Sequence, residues 1–350
     1  MKNKKKCRHF RGDIPCPFHK EHNVACDCQF YEQPSKRVLL IKEGRAGDVV
    51  RTAPILHAIT PGAHVDWLTG FPDIVNLIEP PNDITVEALS FFNHLAWERI
   101  KVTAYDEIVN LDKDHYSCAL TTWMLNYSIC RRAKVSGFML NSENQVVPAD
   151  WRSNDKWIMG IDDAFMRKQT ESYIEQTFKQ LGFEWEGQRA KWKFKRDTKK
   201  YDVALCPFAG PAWKARRWPA LNWRDLATRL SEAGLRVFVL SGPDYVEQKQ
   251  AEAIAPGVLR VPNYAAWFTA LDAADTVVCL PSLPMNVANQ LGKRVVLFNN
   301  VFNRYEFANE LAAGSAILQP PVDCVACYKS ECKKPCLDLI DVEQVARRVL

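Results

Sequence analysis

Two series of short apolar runs, each alternating with helical stretches, limit the fold of this chain more than any other feature. The first series predicts strands at residues 38–42, 64–68, 107–111 and 134–138. The second predicts strands at residues 203–206, 236–240, 258–261, 276–280 and 294–298. Parallel strands need long crossovers, usually helices, so the pattern predicts an α/β fold with parallel sheets. Two Rossmann-like domains would then face each other across a ligand cleft.

The polar and basic stretch 186–200 separates the two series and is interpreted as a linker. At 350 residues, the chain is long enough for two domains of ordinary size. We predict a Cys- and His-rich N-terminal segment (1–35), a first βα domain (36–195), a second βα domain (196–320), and a Cys-rich loop with a terminal helix (321–350).

Helix signals lie between the predicted strands. Residues 150–185 look helical, with Asp162 placed to begin a helix and Gly182 placed to end one. A further stop signal is Gly234, which follows a predicted helix. The other predicted helices are residues 118–131, 223–233 and 342–349.

Composition narrows the class of protein. Apolar residues make up 47% and charged residues 25% of the chain, as in soluble globular proteins. The net charge of +5 suits an anionic substrate or an acidic membrane surface without requiring either, and the lysines of residues 2–6 are expected to be a solvated tail. Without a basic stripe interleaved with aromatics, nucleic-acid binding is not expected. The start, MKNKKKC, lacks the apolar core of a signal peptide, so we expect a cytoplasmic protein.

A carboxylate just beyond the first predicted strand is the first candidate for chemistry. Residues 38–52 read VLLIKEGRAGDVVRT, so Asp48 follows a glycine after the strand. Open α/β sheets bind ligands at this edge. The cations Lys42, Arg45 and Arg51 would keep a carboxylate ionised and able to accept a proton. The alternative is that Asp48 only caps a helix.

The second candidate site follows the first strand of the second series. Residues 207–219 read PFAGPAWKARRWP. Small residues let backbone N–H groups approach an anion, and arginine suits bidentate contact with phosphate. A basic surface loop is the alternative interpretation. The candidates for phosphate binding are Ala209, Gly210, Lys214, Arg216 and Arg217.

Two further sites also follow predicted strands. At residues 240–244, Gly242 forms part of a turn, and Asp244 or Glu247 could reach ribose hydroxyls. At residues 280–286, the start of a helix could hold a phosphate or a sugar, and the candidates are Ser282 and Asn286. An ordinary turn and a capped helix start are the alternatives at these two sites.

Together the four sites resemble the ADP-heptose:lipopolysaccharide heptosyltransferase family, glycosyltransferase family nine, from residue 38 to the C-terminus. The family opens with a Lys…Gly-Asp pattern that Lys42 and Asp48 match, and RRWP at 216–219 matches its Lys-Arg-Trp-Pro element. The remaining matches are a Gly-Gly-Pro-like turn at 240–243, GKRVV at 292–296 and NLDKD at 110–114.

The resemblance implies a GT-B fold and an inverting transfer of a sugar without a catalytic cofactor. Asp48 would be the general base, while Lys42 and Arg216 would belong to the catalytic site. The implied donor is ADP-heptose, and the implied acceptor is a saccharide or glycolipid of the lipopolysaccharide type. Peripheral association with the inner membrane would follow from such an acceptor. Residues 1–35 could reshape the acceptor side.

The sequence also departs from the family's pattern. Arg216 replaces the family's lysine, Pro281 replaces an aspartate that helps to hold heptose, and Asn286 replaces a histidine. The anion site therefore looks retained while the sugar contacts look changed. Residues 303–307, Asn-Arg-x-Glu-Phe, are similar to heptosyltransferases that modify proteins, which gives an alternative acceptor. A catalytically silent nucleotide-sugar-binding protein and a metal-stabilised scaffold are alternatives from other classes.

Twelve cysteines are many for a cytoplasmic chain. Disulfides are disfavoured in a reducing cytosol, and four thiolates at short spacing suit a structural zinc or iron ion. Reduced, metal-free thiols are the alternative. The C-terminal candidate ligands are Cys324, Cys327, Cys332 and Cys336, and the N-terminal ones are Cys7, Cys16, Cys26 and Cys28. The remaining four, expected in the core, are Cys118, Cys130, Cys206 and Cys279.

Overall fold

The structure is a computed structural model. It describes residues 7–26, 28–196, 198, 201–210, 212–255, 257–333 and 335–350. The lysine-rich start and Pro211 of the second candidate site lie outside the described residues.

A mostly parallel sheet forms the first half of the molecule, with strand order β4-β2-β1-β5-β6-β7. Only β7 runs antiparallel to its neighbour, and β3 pairs with β8 in a separate antiparallel ladder. The strands are β1 Arg37–Ile41, β2 His64–Thr69, β3 Ile78–Glu79, β4 Thr85–Ser90, β5 Glu107–Asn110, β6 Lys134–Leu140, β7 Val146–Pro148 and β8 Lys191–Trp192.

Helices cover this sheet and continue toward the second half. Asp162 accepts hydrogen bonds from the backbone N–H groups that open α7, and Gly182 ends α8 in the left-handed region with φ +86°, which confirms both predicted signals. The helices are α1 Pro17–His22, α2 Ala46–Thr52, α3 Pro72–Asn76, α4 His94–Val102, α5 His115–Tyr127, α6 Asn154–Ile158, α7 Asp163–Arg167 and α8 Tyr173–Leu181.

The second sheet is parallel throughout, with strand order β11-β10-β9-β12-β13-β14. Its strands are β9 Tyr201–Cys206, β10 Val237–Ser241, β11 Val258–Arg260, β12 Ala274–Cys279, β13 Arg294–Phe298 and β14 Ala316–Leu318. Its helices are α9 Ala220–Glu232, α10 Tyr245–Ile254, α11 Tyr264–Asp272, α12 Leu283–Gln290, α13 Tyr305–Ala308 and α14 Val342–Val349.

Each sheet has a topological switch point at its first strand. In the first sheet β1 lies between β2 and β5, and in the second β9 lies between β10 and β12. At a switch point the chain leaves adjacent strands toward opposite faces of the sheet, so a crevice opens beyond their carboxyl ends. The loops after β1, β5, β9 and β12 are therefore the places where ligands are expected.

Some predicted elements differ from the observed ones. The predicted helix at 118–131 starts earlier, at His115, because Asp114 caps it, and ends at Tyr127. The linker at 186–200 contains β8, which pairs with β3. Strand β4 was not predicted; it is the half-exposed edge of its sheet, so its apolar signal is weak.

The two halves meet where α2 packs against α12. Gly47 makes this close approach possible, because a Cβ at this position would lie 2.6 Å from Asn286 Nδ2 and 3.3 Å from the backbone of Leu283. The contact brings the start of α2 and the start of α12 together in the cleft. Within the described parts of the chain, no helix is long and apolar enough to cross a membrane.

The N-terminal segment lies at the edge of the first sheet opposite to the cleft. Arg8 Nη1 donates to Thr85 Oγ1 at the start of β4 (2.7 Å), and Ser35 Oγ donates to the Pro61 carbonyl just before β2 (2.7 Å). Both contacts are at the amino ends of parallel strands, whereas the site loops leave the carboxyl ends. The contacts of the described part of this segment therefore lie away from the cleft, and the role of residues 1–35 on the acceptor side stays a prediction.

Candidate active site

A cavity of about 410 Å³ lies between the two halves of the molecule. It brings together the loop after β1, the loop after β9 and the start of α12, so both switch points contribute to it. Five of the residues singled out from the sequence line it, namely Asp48, Gly210, Arg216, Ser282 and Asn286. The fold thus brings five candidates from three separate parts of the sequence to one cavity.

Asp48 lies in the first turn of α2 rather than at its cap. Arg45 occupies the N-cap position in extended backbone, and the Asp48 N–H donates to the Arg45 carbonyl (2.8 Å). The capping interpretation of Asp48 is therefore wrong, and its half-buried carboxylate lines the cavity between the halves. This position leaves the carboxylate available to a substrate.

Arg216 is a buried cation in the opposite wall, on the loop after β9. Its guanidinium donates to the carbonyls of Pro281 and Gly210, while Nε is buried without a hydrogen-bond partner. Burial, followed by the neighbouring charge of Arg45, lowers the pKa of Arg216 to about 10. The group is still cationic at neutral pH, and an anion in the cavity would relieve its desolvation.

The start of α12 presents further unpaired polar groups to the cavity. Ser282 is at the N-cap in extended backbone but makes no side-chain cap, which leaves the first N–H groups of this eight-residue helix uncapped by a side chain. Asn286 is buried; its Nδ2 donates to the Ser282 carbonyl (3.3 Å) and its Oδ1 has no partner. An uncapped helix start beside a cation favours a negatively charged ligand group.

The other residues predicted to bind the donor are divided between two places. Ala209, Arg217 and Glu247 line a neighbouring cavity of about 420 Å³ on the far side of the same loop. Lys214, Gly242 and Asp244 line neither cavity. Lys214 instead pairs with Glu331 (2.7 Å), Asp244 caps α10 by accepting from the Glu247 N–H (2.9 Å), and Gly242 lies beneath the Glu247 carboxylate.

Lys42 is buried and fully engaged inside the first half. Its ammonium group forms an ion pair with Asp112, whose other oxygen accepts from the backbone N–H groups of Glu43 and Gly44. Burial alone would lower the pKa of Lys42, but Tyr173, Asp112 and Asp48 outweigh it and raise the pKa. Lys42 therefore holds the loop before Asp48 in place and does not line the cavity between the halves.

A second cavity opens on the other side of Asp48, beyond the carboxyl ends of the first sheet. It has a volume of about 510 Å³ and shares Arg45 and Asp48 with the cavity between the halves. Four carboxylates and two cations line it, together with two aromatic rings, one of which, Phe92, is 77% exposed. Its lining is Lys42, Glu43, Gly44, Arg45, Asp48, Phe71, Phe92, Asp112 and Asp114.

Sequence reasoning missed several residues of the site. Trp213, Phe302 and Glu306 line the cavity between the halves. Burial raises the pKa of Glu306, which accepts a hydrogen bond from Tyr328 Oη (2.8 Å). The stretches 207–219 and 303–307 had been singled out for their motifs, so Trp213 and Glu306 could have been assigned to the site, whereas Phe302 carries no sequence signal of a site.

The cysteines are not drawn together as metal ligands in the structure. None of the twelve, all of which lie in described parts of the chain, forms a disulfide. Among the described residues, three ligand atoms come within 4.8 Å of one another only at His64, Asp66 and Glu87. That set already satisfies other partners, because Arg99 pairs with both carboxylates and Tyr105 Oη donates to Asp66 (2.7 Å).

Comparison with known proteins identifies the family. The family model of glycosyltransferase family 9 (heptosyltransferase) matches residues 94–336, more than half of the chain. The chain belongs to this family. It is therefore a glycosyltransferase, and the resemblance predicted from its motifs is confirmed. The matched region includes residues 207–219 and α12 but begins after Asp48. No curated protein matches the sequence.

Solved structures of family members share the GT-B fold. The chain is similar to the E. coli heptosyltransferase WaaC with ADP, at 17% identity, with 89% of this chain and 98% of that chain covered and a TM-score of 0.60. It is also similar to a family 9 glycosyltransferase from Veillonella parvula, at 15% identity, with 90% of this chain and 96% of that chain covered and a TM-score of 0.64. A third similar structure is the iron-containing dodecameric glycosyltransferase TibC from enterotoxigenic E. coli. The identity is 12%, the alignment covers 91% of this chain and 76% of that chain, and the TM-score is 0.55. At these identities the likeness establishes the fold.

Proposed function

We propose that this glycosyltransferase inverts the anomeric centre of a nucleotide-activated sugar, ADP-heptose in the first instance, as it transfers the sugar to a hydroxyl of a saccharide acceptor of the lipopolysaccharide type. The observation that carries the proposal is a half-buried carboxylate, Asp48, facing an incompletely paired buried cation, Arg216, across one cavity. This arrangement suits a base on one side of a reacting carbon and an anionic leaving group on the other.

The donor's diphosphate would lie between Arg216 and the start of α12. Arg216 Nε and the uncapped N–H groups after Ser282 are the donors that a diphosphate could engage, while Asn286 Oδ1, an acceptor, could take a hydrogen bond from a hydroxyl of the donor. WaaC is a relative whose structure holds ADP, which supports an adenine nucleotide here. The neighbouring cavity, lined by Arg217 and Glu247, offers room for the nucleoside.

The acceptor would occupy the cavity on the other side of Asp48. Carboxylates accept hydrogen bonds from sugar hydroxyls, and exposed rings such as Phe92 can pack on the apolar face of a sugar. Because four carboxylates face two cations there, an uncharged reacting sugar suits the cavity better than a phosphorylated one. This charge balance favours a saccharide acceptor, and residues 303–307 keep a protein acceptor as the alternative.

In the proposed reaction, Asp48 takes the proton of the acceptor hydroxyl as its oxygen attacks the anomeric carbon. The new C–O bond forms on the face opposite to the diphosphate, so the configuration inverts. The bond between the anomeric carbon and the diphosphate oxygen breaks, and the electron pair leaves with ADP. Arg216 and the start of α12 stabilise the charge that grows on this leaving group. No residue is required to form a covalent intermediate.

The test is an Asp48→Asn variant, which keeps the shape of the side chain and removes the base. We expect transfer from ADP-heptose to fall by about 10²- to 10⁴-fold, the usual value of a positioned base. ADP affinity, measured by calorimetry, should stay within a few-fold of wild type. A transfer rate close to wild type would rule out this role, and a wild-type protein that binds ADP-heptose without turnover would show a silent binding protein.

The C-terminal cysteine loop is proposed as a structural metal site that supports the donor loop. Asn300 Nδ2 contacts both the Ala215 carbonyl (2.8 Å) and Cys336 Sγ (3.1 Å), and the Ala215 N–H donates to the Ser330 carbonyl (3.0 Å). An iron or zinc ion bound by Cys324, Cys327, Cys332 and Cys336 would stiffen the turn that carries Arg216. TibC is a relative described as iron-containing.

We also propose a cytoplasmic location with peripheral attachment to the inner membrane, where a glycolipid acceptor would be presented.

A further inference from the structure

The N-terminal segment, residues 7–35, has no hydrophobic core. None of its described residues is buried, α1 contributes no buried side chain, and the buried residues of the chain begin at Val38. The segment nevertheless has a defined path of turns and one helix. A stretch this short cannot bury enough apolar surface to offset the entropy of ordering it, so it needs a crosslink or a metal ion.

All four N-terminal cysteines line a single cavity of about 400 Å³ in this segment. Each comes from a different part of its path. Cys7 and Cys28 each begin a reverse turn, since their carbonyls accept from the N–H groups of Phe10 and Tyr31 (3.1 Å each). Cys16 occupies the N-cap position of α1, and Cys26 precedes Cys28 by two residues. The turns therefore place four cysteines around one cavity although 21 positions separate the first from the last.

Crosslinking by disulfides does not hold the segment together, because none of these cysteines is disulfide-bonded. The other contacts of the segment lie near its surface. Phe30 lies 4.4 Å from Phe18 and 4.9 Å from His22 between ring centroids, and Arg8 forms an ion pair with Glu32. Such partly exposed contacts stabilise little, so the cavity lined by the cysteines is where a further stabilising group would bind.

We propose that Cys7, Cys16, Cys26 and Cys28 bind one zinc-like metal ion as thiolates, and that this ion is the core around which the N-terminal segment folds. Binding of M²⁺ releases four thiol protons and leaves a site with a net charge of −2. A tetrahedral site brings sulfur atoms to about 3.8 Å from one another, given metal–sulfur bonds of about 2.3 Å. No three of these described sulfur atoms lie within 4.8 Å of one another in the structure, so binding draws the walls of the cavity inward.

The site is independent of sugar transfer. The segment docks through Arg8 and Ser35 on the amino ends of the first sheet, opposite to the cleft that holds Asp48. Four protein ligands also leave no open coordination position for a substrate. The proposal therefore does not rest on the proposed reaction, and metal loss should loosen the segment while the two sheets remain folded.

The experiment uses the 350-residue chain with the four C-terminal cysteines replaced by serine, so that the C-terminal loop cannot contribute thiolate ligands. The replacements are Cys324→Ser, Cys327→Ser, Cys332→Ser and Cys336→Ser. The protein is stripped with a chelator under reducing conditions and titrated with Co²⁺ as a spectroscopic probe. We expect one Co²⁺ per chain, with the intense d–d bands of a tetrahedral thiolate site, displaced by an equimolar amount of Zn²⁺. Amide hydrogen exchange within residues 8–35 should slow by at least tenfold on binding.

The matched variant adds Cys16→Ser and Cys28→Ser to the same background. It should bind no Co²⁺ tightly and should show fast exchange in residues 8–35 with or without metal. Far-UV circular dichroism and exchange in β1 and β9 should match the parent protein, which shows that the sheets are intact. Absence of Co²⁺ binding by the parent, or an unchanged cobalt spectrum after removal of Cys16 and Cys28, would overturn the proposal.

Discussion

At the scale of single residues, the proposed donor site depends on which of two nearby cations, Arg216 or Lys214, faces the cavity. The two cations are two positions apart in the same loop, yet Arg216 is buried in the wall of the cavity and Lys214 points to Glu331 on the surface. Sequence alone assigned both to the donor diphosphate. Both residues belong to one short helical turn, and their side chains leave this turn in different directions.

We expect Arg216→Ala to raise the Kd for ADP by about 10- to 100-fold, because a hydrogen bond to a charged group contributes about 1.5–3 kcal/mol. Lys214→Ala is the matched control and should leave the Kd unchanged, since an exposed ion pair contributes little. Isothermal titration calorimetry with ADP measures both. Equal losses in the two variants would contradict the assignment of Arg216.

Another single residue, Lys156, makes the stability depend on pH. It is half-buried on α6 beside Arg51 and Lys113, and its enclosed ammonium group donates to Gln176 (2.7 Å). Burial, followed by the charges of Arg51 and Lys113, lowers its pKa from 10.5 to about 7. Between these values the unfolded chain holds a proton that the folded chain has lost, so this group makes the free energy of unfolding rise with pH from about 7 to 10.5.

Lys156→Gln keeps a donor for Gln176 but cannot titrate. We expect the wild-type free energy of unfolding to increase from pH 7 to pH 9 relative to that of the variant. Urea denaturation of both proteins at pH 7, 8 and 9 measures this difference. The contributions of all other titrating groups cancel because both proteins contain them. Two curves that run parallel over this range would show that Lys156 is not neutral in the folded protein.

At the scale of elements, the sequence predicted every strand that is mostly buried, whereas the strands that it missed are short or lie at an edge; the half-buried edge strand β11 was predicted all the same. β1 and β13 consist almost entirely of buried apolar residues, so their runs stand out. β4 is an edge strand with one buried residue, and β8 has two residues, one exposed and one half-buried. Edge strands need little apolar surface, and the pairing that defines them lies far away in sequence.

The packing of α2 on α12 gives the second element-scale prediction. Because a Cβ at Gly47 would approach both Asn286 and the backbone of Leu283, we expect Gly47→Ala to lower the free energy of unfolding by about 1–3 kcal/mol, the usual cost of overpacking. Gly210→Ala is the control, since nothing lies within 4 Å of its added methyl group. Urea unfolding should separate the two, and equal stability would mean that the helices can move apart without cost.

At the scale of the whole molecule, features set by neighbouring residues could be predicted from the sequence, whereas contacts between residues far apart along the chain could not. Asp48 and Arg216 could be assigned because each follows its own strand, and parallel sheets bind ligands at that edge. The contacts that hold the site together could not be predicted, because Lys42 and Arg51 pair with residues 70 and 259 positions away along the chain. Only the folded arrangement of the two sheets shows that Lys42 supports the loop before Asp48.

The ion pair between Arg51 and Glu310 joins the two halves beneath the cavity. Arg51 belongs to α2, lies 4.0 Å from the centre of the Tyr173 ring, and pairs with Glu310 just beyond α13 (3.3 Å). Both charged side chains are more than nine-tenths buried. Burial raises the pKa of Glu310, and the charge of Arg51 opposes that rise. Each charge therefore depends on the other for its stability inside the interface.

A double-mutant cycle tests this dependence. Arg51→Met should lower the free energy of unfolding by about 3–5 kcal/mol, because it leaves Glu310 buried without a counter-charge. Glu310→Gln should also be destabilising, and the double variant should be more stable than the sum of the two losses predicts, by about 1–3 kcal/mol. Urea unfolding of the four proteins gives the coupling energy. Additive losses would mean that Arg51 is held by Tyr173 and the Glu306 carbonyl, which accepts from it at 3.0 Å, rather than by its ion pair.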